Sequence, residues 1–324
     1  MTPIPAPAHW DQLATRLAPH QRQVSAGVPL SRLTTFRIGG PAGLLCPVEN
    51  VEQARRFLDF AADHGLPWTC LGGGSNILAD DAGFAGLVLR IQTRDLAIRG
   101  DAVRVGAGWN FDDLIATTLD EGLTGLEFAS GIPGTLGGAL VGNAGCYGQE
   151  VGGLLVEATV LRPDGRVVVL GPGEFAFAYR TSALKGRADV VLDMVLQLAR
   201  GDRAAAAALR AEHLADRARK HPSWDDACAG SYFQNLPPRA PGERRRAAGV
   251  LLEEVGAKQM REGAARVYPK HANIIVNAGG ATSAEVLRLA ARMKAAVRER
   301  FGETLEEEVR HLVTPRASSD PDAA

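Results

Sequence analysis

The chain is 324 residues long, about twice a usual domain, with 46% apolar and 23% charged residues. Two domains or one large composite fit those numbers, and a disordered or fibrous chain does not. Lys and Arg number 36 against 37 Asp and Glu, a net charge of -1, so the basic excess of a general nucleic-acid binder is missing. No apolar run approaches the roughly 20 residues of a membrane span. The opening MTPIPAPAHWDQL has neither a basic nor an apolar leader region. Cys46, Cys70, Cys146 and Cys228 form no CxxC pair and no metal-ligand spacing, which predicts free thiols, no metal and a cytoplasmic protein.

In chain order, a short helix-like stretch near Leu13 to Leu17 is followed by strand and turn over Leu33 to Cys46. Val51, Ala54, Phe57, Leu58 and Ala61 recur at helical spacing, with Gly65 as the stop. The run Trp68 to Leu71 enters Gly72-Gly73-Gly74-Ser75-Asn76, and Leu87 to Ile91 reads as the next strand. Val103 and Val105 alternate, and Phe111, Leu114, Ile115 and Leu119 stripe a helix. The alternating segments Glu157 to Leu161 and Arg166 to Leu170 precede an Ala-rich helix, Ala204 to Arg219, ended by His221-Pro222. Thr282 and Glu285 form a capping box for a helix striped by Val286, Leu289, Ala290, Met293 and Val297. The polar tail from Thr314 is expected to be disordered.

Known nucleotide signatures are absent: there is no GxxxxGK[ST], and Gly106-Ala-Gly108-Trp-Asn-Phe111 puts Phe where a dinucleotide fingerprint needs its third Gly. GxSxG and HExxH are missing too. Two glycine-rich loops remain. Gly72 to Asn76 fits a tight turn between strands as well as it fits a cradle of bare N–H groups for a pyrophosphate. The second, Ser130 to Gly148, holds seven glycines in nineteen residues together with Ile132, Leu136, Leu140 and Val141. That is a packed segment whose backbone approaches something closely. A large flat ligand lying against the backbone would explain both loops. Arg180 alone reads as a surface arginine or a carboxylate clamp, and Ser231 as a cap or turn residue. Glu308 lies in an acidic run beside the strand-like Val309 to Val313, which can turn it inward.

Taken in order, these segments resemble the UDP-N-acetylenolpyruvoylglucosamine reductases over about residues 30 to 313. The carriers are TFRIGG (35–40), LGGGSNIL (71–78), GIPGTLGGALVGNAGCY (131–147), YRTS (179–182), AGSYFQN (229–235), KHAN (270–273) and LEEEVR (305–310). Gln234 stands where a Lys is frequent in that family, and Glu307 where many relatives have Pro. No extra tyrosine-bearing loop follows Arg180, which implies the shorter, type II form.

The resemblance implies an α+β fold. An N-terminal segment (1–29) would precede a two-subdomain FAD-binding domain of the vanillyl-alcohol-oxidase/PCMH type (30–200), and then a C-terminal α+β substrate-binding domain (201–313). It implies FAD held by Gly72, Gly73, Gly74, Ser75 and Asn76 on one side. Gly131, Pro133, Gly134, Gly137, Gly138, Asn143 and Gly145 would hold it on the other. NADPH would reduce the flavin and leave, and UDP-N-acetylglucosamine enolpyruvate would then be reduced to UDP-N-acetylmuramate for peptidoglycan. Arg180 and Glu308 would stabilise the enol intermediate and Ser231 would give the proton, with Tyr179, Tyr232, Asn235, Lys270 and His271 as substrate contacts. Small-molecule partners only, no membrane, and a monomer or weak oligomer are expected. An FAD-dependent oxidase of the same superfamily and a non-catalytic nucleotide-sugar-binding protein are the alternatives.

Overall fold

A computed structural model describes residues 7–17 and 23–315. Its first sheet runs in the order Ser25–Ala26, Ala42–Val48, Phe84–Ile91, Trp68–Leu71. The last three strands are parallel, because the helix Val51–Asp63 crosses between Ala42–Val48 and Trp68–Leu71. Asn50 opens that helix by accepting from the Gln53 N–H at 2.9 Å, and Ala54, Phe57, Leu58 and Ala61 are its buried face. The central strand FAGLVLRI is almost continuously apolar, as a parallel strand covered on both faces must be.

A second sheet is antiparallel throughout, in the order Val167–Leu170, Leu155–Leu161, Val190–Gln197, Ala102–Gly106, Leu96–Arg99. Its core and that of the first sheet form one continuous apolar cluster, which also takes in Trp10, Leu13 and Leu17 of the N-terminal helix Pro7–Leu17. The helix Phe111–Asp120 and the short helix Leu136–Val141 add to it. The latter lies inside the second glycine loop, where glycine content hides any helical periodicity.

The C-terminal sheet runs Ala227–Ser231, His271–Asn277, Ala265–Tyr268, Arg261–Glu262. The helix Ser283–Phe301 packs on it through Val286, Leu289, Ala290, Met293 and Val297. The Thr282–Glu285 capping box is formed. This second core also draws Phe36, Ile38 and Leu78 from the N-terminal half, so the two units share apolar surface. A parallel pairing of Arg310–Leu312 with Ile77–Ala79 ties them together.

The helix Arg203–Lys220 lies past the boundary expected at residue 200, yet it packs on the preceding unit. Ala206 enters the first core, His213 Nδ1 lies 2.8 Å from the Glu127 carbonyl, and Arg210 pairs with Asp112 at 2.7 Å. Its burial rests on few side chains, which is why its sequence does not show where it docks. The expected tail begins within ordered structure: the Thr314 hydroxyl accepts from the Ala85 N–H at 2.8 Å. Residues 316–324 lie outside the described residues.

Candidate active site

The two glycine loops meet. A Cβ on Gly73 would sit 2.5 Å from the Gly134 Cα, and one on Gly72 would sit 2.3 Å from the Thr135 hydroxyl. The Ser75 hydroxyl donates to the Pro133 carbonyl at 2.9 Å. Glycine is needed here to let one backbone lie on the other. Among the described residues, the N–H groups of Gly72 through Asn76 donate to no backbone carbonyl. A row of unpaired N–H groups on such a turn suits phosphate oxygens, so the site fits the pyrophosphate of FAD. Gly138 lies on the exposed side of the short helix, where a Cβ would meet only the Thr135 hydroxyl, at 3.5 Å.

Other expected cofactor residues have internal duties. The Asn143 side chain donates to Glu150 Oε2 at 2.7 Å and to the Ala178 carbonyl at 3.0 Å, and accepts from the Gly152 N–H at 3.1 Å. It is fully buried, with φ 45°, so its role is to staple the loop and not to touch a ligand through its amide. Gly137 packs on Ala107, and Gly145 against the Gln149 carbonyl. Gly131 abuts Arg217 and donates its N–H to Asp112 at 2.8 Å. These glycines shape the loop from inside.

A cavity of about 600 Å³ opens beside this loop, lined by Gly145, Cys146, Gln149, Glu150, Tyr179, Arg180 and Asn235 among others. Arg180 Nε lies 3.2 Å from Glu308 Oε1, and Arg180 Nη2 donates to the Gly145 carbonyl at 2.7 Å. Both side chains of the ion pair are largely buried. Burial pushes the Glu308 carboxyl above its ordinary range, while Arg180 and Lys185 pull against that rise. Glu308 is held at the glycine loop by its own backbone, its carbonyl accepting from Asn76 Nδ2 at 3.0 Å. Its N–H donates to the Tyr232 carbonyl at 2.8 Å. The antiparallel pairing of Phe233 with Glu307 sets Tyr232 opposite Glu308, and Ser231 is the residue next to Tyr232 on that strand. Ser231 follows a bulge with Gly230 at φ 74°, a device that re-aims a side chain at a strand end.

The weaker substrate candidates divide. The Tyr179 ring carries the Arg245 guanidinium at 4.0 Å, and its hydroxyl accepts from the Asn235 N–H at 3.4 Å. Both residues line the cavity. Tyr232, by contrast, is 2% exposed, packs edge-on to Phe233 in the C-terminal core, and reaches the site only by its backbone. Lys270 is exposed, and nothing in the structure brings it to the cavity. His271 faces His221 at 5.3 Å between ring centroids. Its neighbour Asn273 pins Phe233 through two bonds, at 2.9 and 2.8 Å. Sequence reasoning missed Thr135, whose hydroxyl caps the short helix. It also missed Arg245, hidden in the run Arg244-Arg245-Arg246, and Lys185.

A model of the UDP-N-acetylenolpyruvoylglucosamine reductase C-terminal domain matches residues 221–312, and an FAD-binding domain model matches residues 41–171. A UDP-N-acetylenolpyruvoylglucosamine reductase of Symbiobacterium thermophilum is 43% identical over 284 residues, 87% of this chain and 90% of the relative. The chain belongs to the UDP-N-acetylenolpyruvoylglucosamine reductase family. A reductase of the same name from Bacillus velezensis is 40% identical over 87% of this chain and 91% of its own. The crystal structure of the Thermus caldophilus reductase superposes with a TM-score of 0.75 at 33% identity, covering 90% of this chain and 99% of that one. The protein is therefore a flavin-dependent oxidoreductase of α+β fold. The C-terminal match favours the reductase over the oxidase and binding-protein alternatives. Among the described residues, no helix is long and apolar enough to cross a membrane.

Proposed function

We propose that the protein reduces UDP-N-acetylglucosamine enolpyruvate to UDP-N-acetylmuramate with NADPH, in the cytoplasm, for peptidoglycan synthesis, and that residues 30–200 and 201–313 are its cofactor and substrate units, the helix Arg203–Lys220 of the second packing back on the first. The observation that carries this reading is the Arg180–Glu308 pair, largely buried and anchored to both glycine loops. FAD, when bound, supplies the hydride taken from NADPH. Its pyrophosphate would be held by the unpaired N–H groups of Gly72–Asn76, beside the exposed face of Gly138.

Hydride addition at the terminal enolpyruvyl carbon leaves negative charge on the carboxylate and the adjacent carbon. The Arg180 guanidinium meets that charge with N–H donors fixed in advance. Glu308 stands 3.2 Å from that guanidinium, and the burial that raises its pKa favours its sharing a proton with the enol oxygen as charge develops there. Ser231 gives its hydroxyl proton to the adjacent carbon. A serine is a weak acid, but an enolate carbon is a strong base, so placement governs the step more than acidity. Tyr179 and Asn235 at the cavity wall suit the nucleotide end of the substrate. The test is mass spectrometry of the product formed from NADPH and the enolpyruvyl nucleotide sugar. A gain of two hydrogens on the sugar nucleotide supports the reading, and an unchanged sugar nucleotide with NADPH consumed overturns it.

A further inference from the structure

We infer that Lys185 is a positioning residue of this site: bonded to the Arg180 carbonyl, it holds Arg180 in its turn and stands as a second cation toward Glu308. The inference rests on the reading of Arg180 and Glu308 given above.

Ala178 and Thr181 exchange backbone hydrogen bonds at 3.1 Å each way, closing a two-residue turn of Tyr179 and Arg180. Arg180 has φ 57°. That is the left-handed region, where a type II turn ordinarily places Gly or Asn at its third position. An arginine there is disfavoured by its Cβ, so the surroundings must hold it. Lys185 Nζ supplies the hold by donating to the Arg180 carbonyl at 2.8 Å. The chain returns beneath the turn for this purpose. The Ser182 hydroxyl donates to the Val141 carbonyl at 2.8 Å, and the Lys185 N–H donates to the Ser182 carbonyl at 3.0 Å. Lys185 is half-buried, and the charged groups that bear on its ammonium are Glu308, which favours its charge, and Arg180, which opposes it. Glu308 in turn has Arg180 and Lys185 as its charged neighbours. A group that only propped the turn could be neutral, so the positive charge at this place is what the structure leaves to explain.

The variants Lys185→Arg, Lys185→Gln and Lys185→Met of the FAD-loaded enzyme separate these roles. Lys185→Met is expected to lose about 10- to 100-fold in kcat, the span a bond to a charged group supports, with the KM for NADPH unchanged. Lys185→Arg is expected to recover most of that loss. The limb of the pH–rate profile that belongs to Glu308 is expected to move to higher pH in Lys185→Gln and Lys185→Met, because removing a cation raises a carboxyl pKa. Infrared titration of the Glu308 carboxyl, identified by its loss in Glu308→Gln, is expected to move the same way. A limb and a carboxyl band unmoved in Lys185→Gln would overturn the inference while leaving the Arg180–Glu308 reading intact. A Glu308→Gln enzyme with wild-type turnover and pH profile would overturn both.

Discussion

Gly138 offers a direct test of whether glycine in the second loop serves the fold or the ligand. Its Cβ position is open within the protein, the nearest neighbour being the Thr135 hydroxyl at 3.5 Å, and the residue lies in the helix Leu136–Val141. Alanine there should stabilise the protein by roughly 0.5–1 kcal/mol, since glycine in a helix costs that much. The same methyl group would stand on the exposed face against which the cofactor would lie, the Gly138 N–H itself being taken by the Thr135 hydroxyl at 3.4 Å. Pushing the phosphate off one charge-assisted hydrogen bond to the facing Gly72–Asn76 loop corresponds to about 1.5–3 kcal/mol, or roughly 10- to 100-fold weaker FAD binding. Gly73→Ala is the contrast. Its Cβ would lie 2.5 Å from the Gly134 Cα and 3.2 Å from the Thr135 nitrogen, all backbone, so stability should fall by about 1–3 kcal/mol as the loops separate. Thermal unfolding with and without added FAD, together with a fluorescence titration of FAD, measures both quantities. Gly138→Ala with unchanged FAD affinity would refute the reasoning that the backbone there touches the cofactor.

Three further outcomes follow from the site. Arg180→Asn should keep its fold, because Asn tolerates φ 57°, yet lose about 10²–10³-fold in turnover; steady-state kinetics beside a melting curve checks this. Asn143→Ala should destabilise by about 2–4 kcal/mol, having removed three bonds of a fully buried side chain, as read by denaturant unfolding. His221 is held near pKa 4 by burial first, then by Arg217 and His271, with Lys220 adding and Asp216 opposing. The unfolded state thus binds the extra proton first as pH falls, and stability present above about 6.5 is lost between about 6.5 and 4. His221→Gln should flatten that slope in unfolding free energy measured across the window.

The helices and strands carried by apolar periodicity, such as Val51–Asp63 and Phe84–Ile91, are legible in the chain because burial alone sets their pattern. Glycine density likewise marks both loops as places of close backbone approach. It does not tell which neighbour is approached. Asn143 looks like a ligand contact in sequence, but its amide is spent on the loop itself, while Gly145 packs on the Gln149 carbonyl and also lines the cavity. Tyr232 sits next to Ser231, yet strand alternation turns its ring into the C-terminal core. The left-handed backbone of Arg180 has no sequence signal, since propensity argues against an arginine there. The contact of Arg180 with Glu308 joins residues far apart in the chain, delivered by the pairings of Arg310–Leu312 with Ile77–Ala79 and of Phe233 with Glu307. Arg245 is hidden likewise, since it meets Tyr179 across a long stretch of chain, whereas Lys185 is local to Arg180 and is revealed only by the left-handed turn it bonds.

The most direct measurement is anaerobic visible spectroscopy of the purified protein, following the flavin band. NADPH is added first and UDP-N-acetylglucosamine enolpyruvate second. Bleaching by NADPH, with recovery only on addition of the enolpyruvyl sugar, is the predicted result. A band that recovers with oxygen but not with the enolpyruvyl sugar, or no band even after reconstitution with FAD, would contradict it.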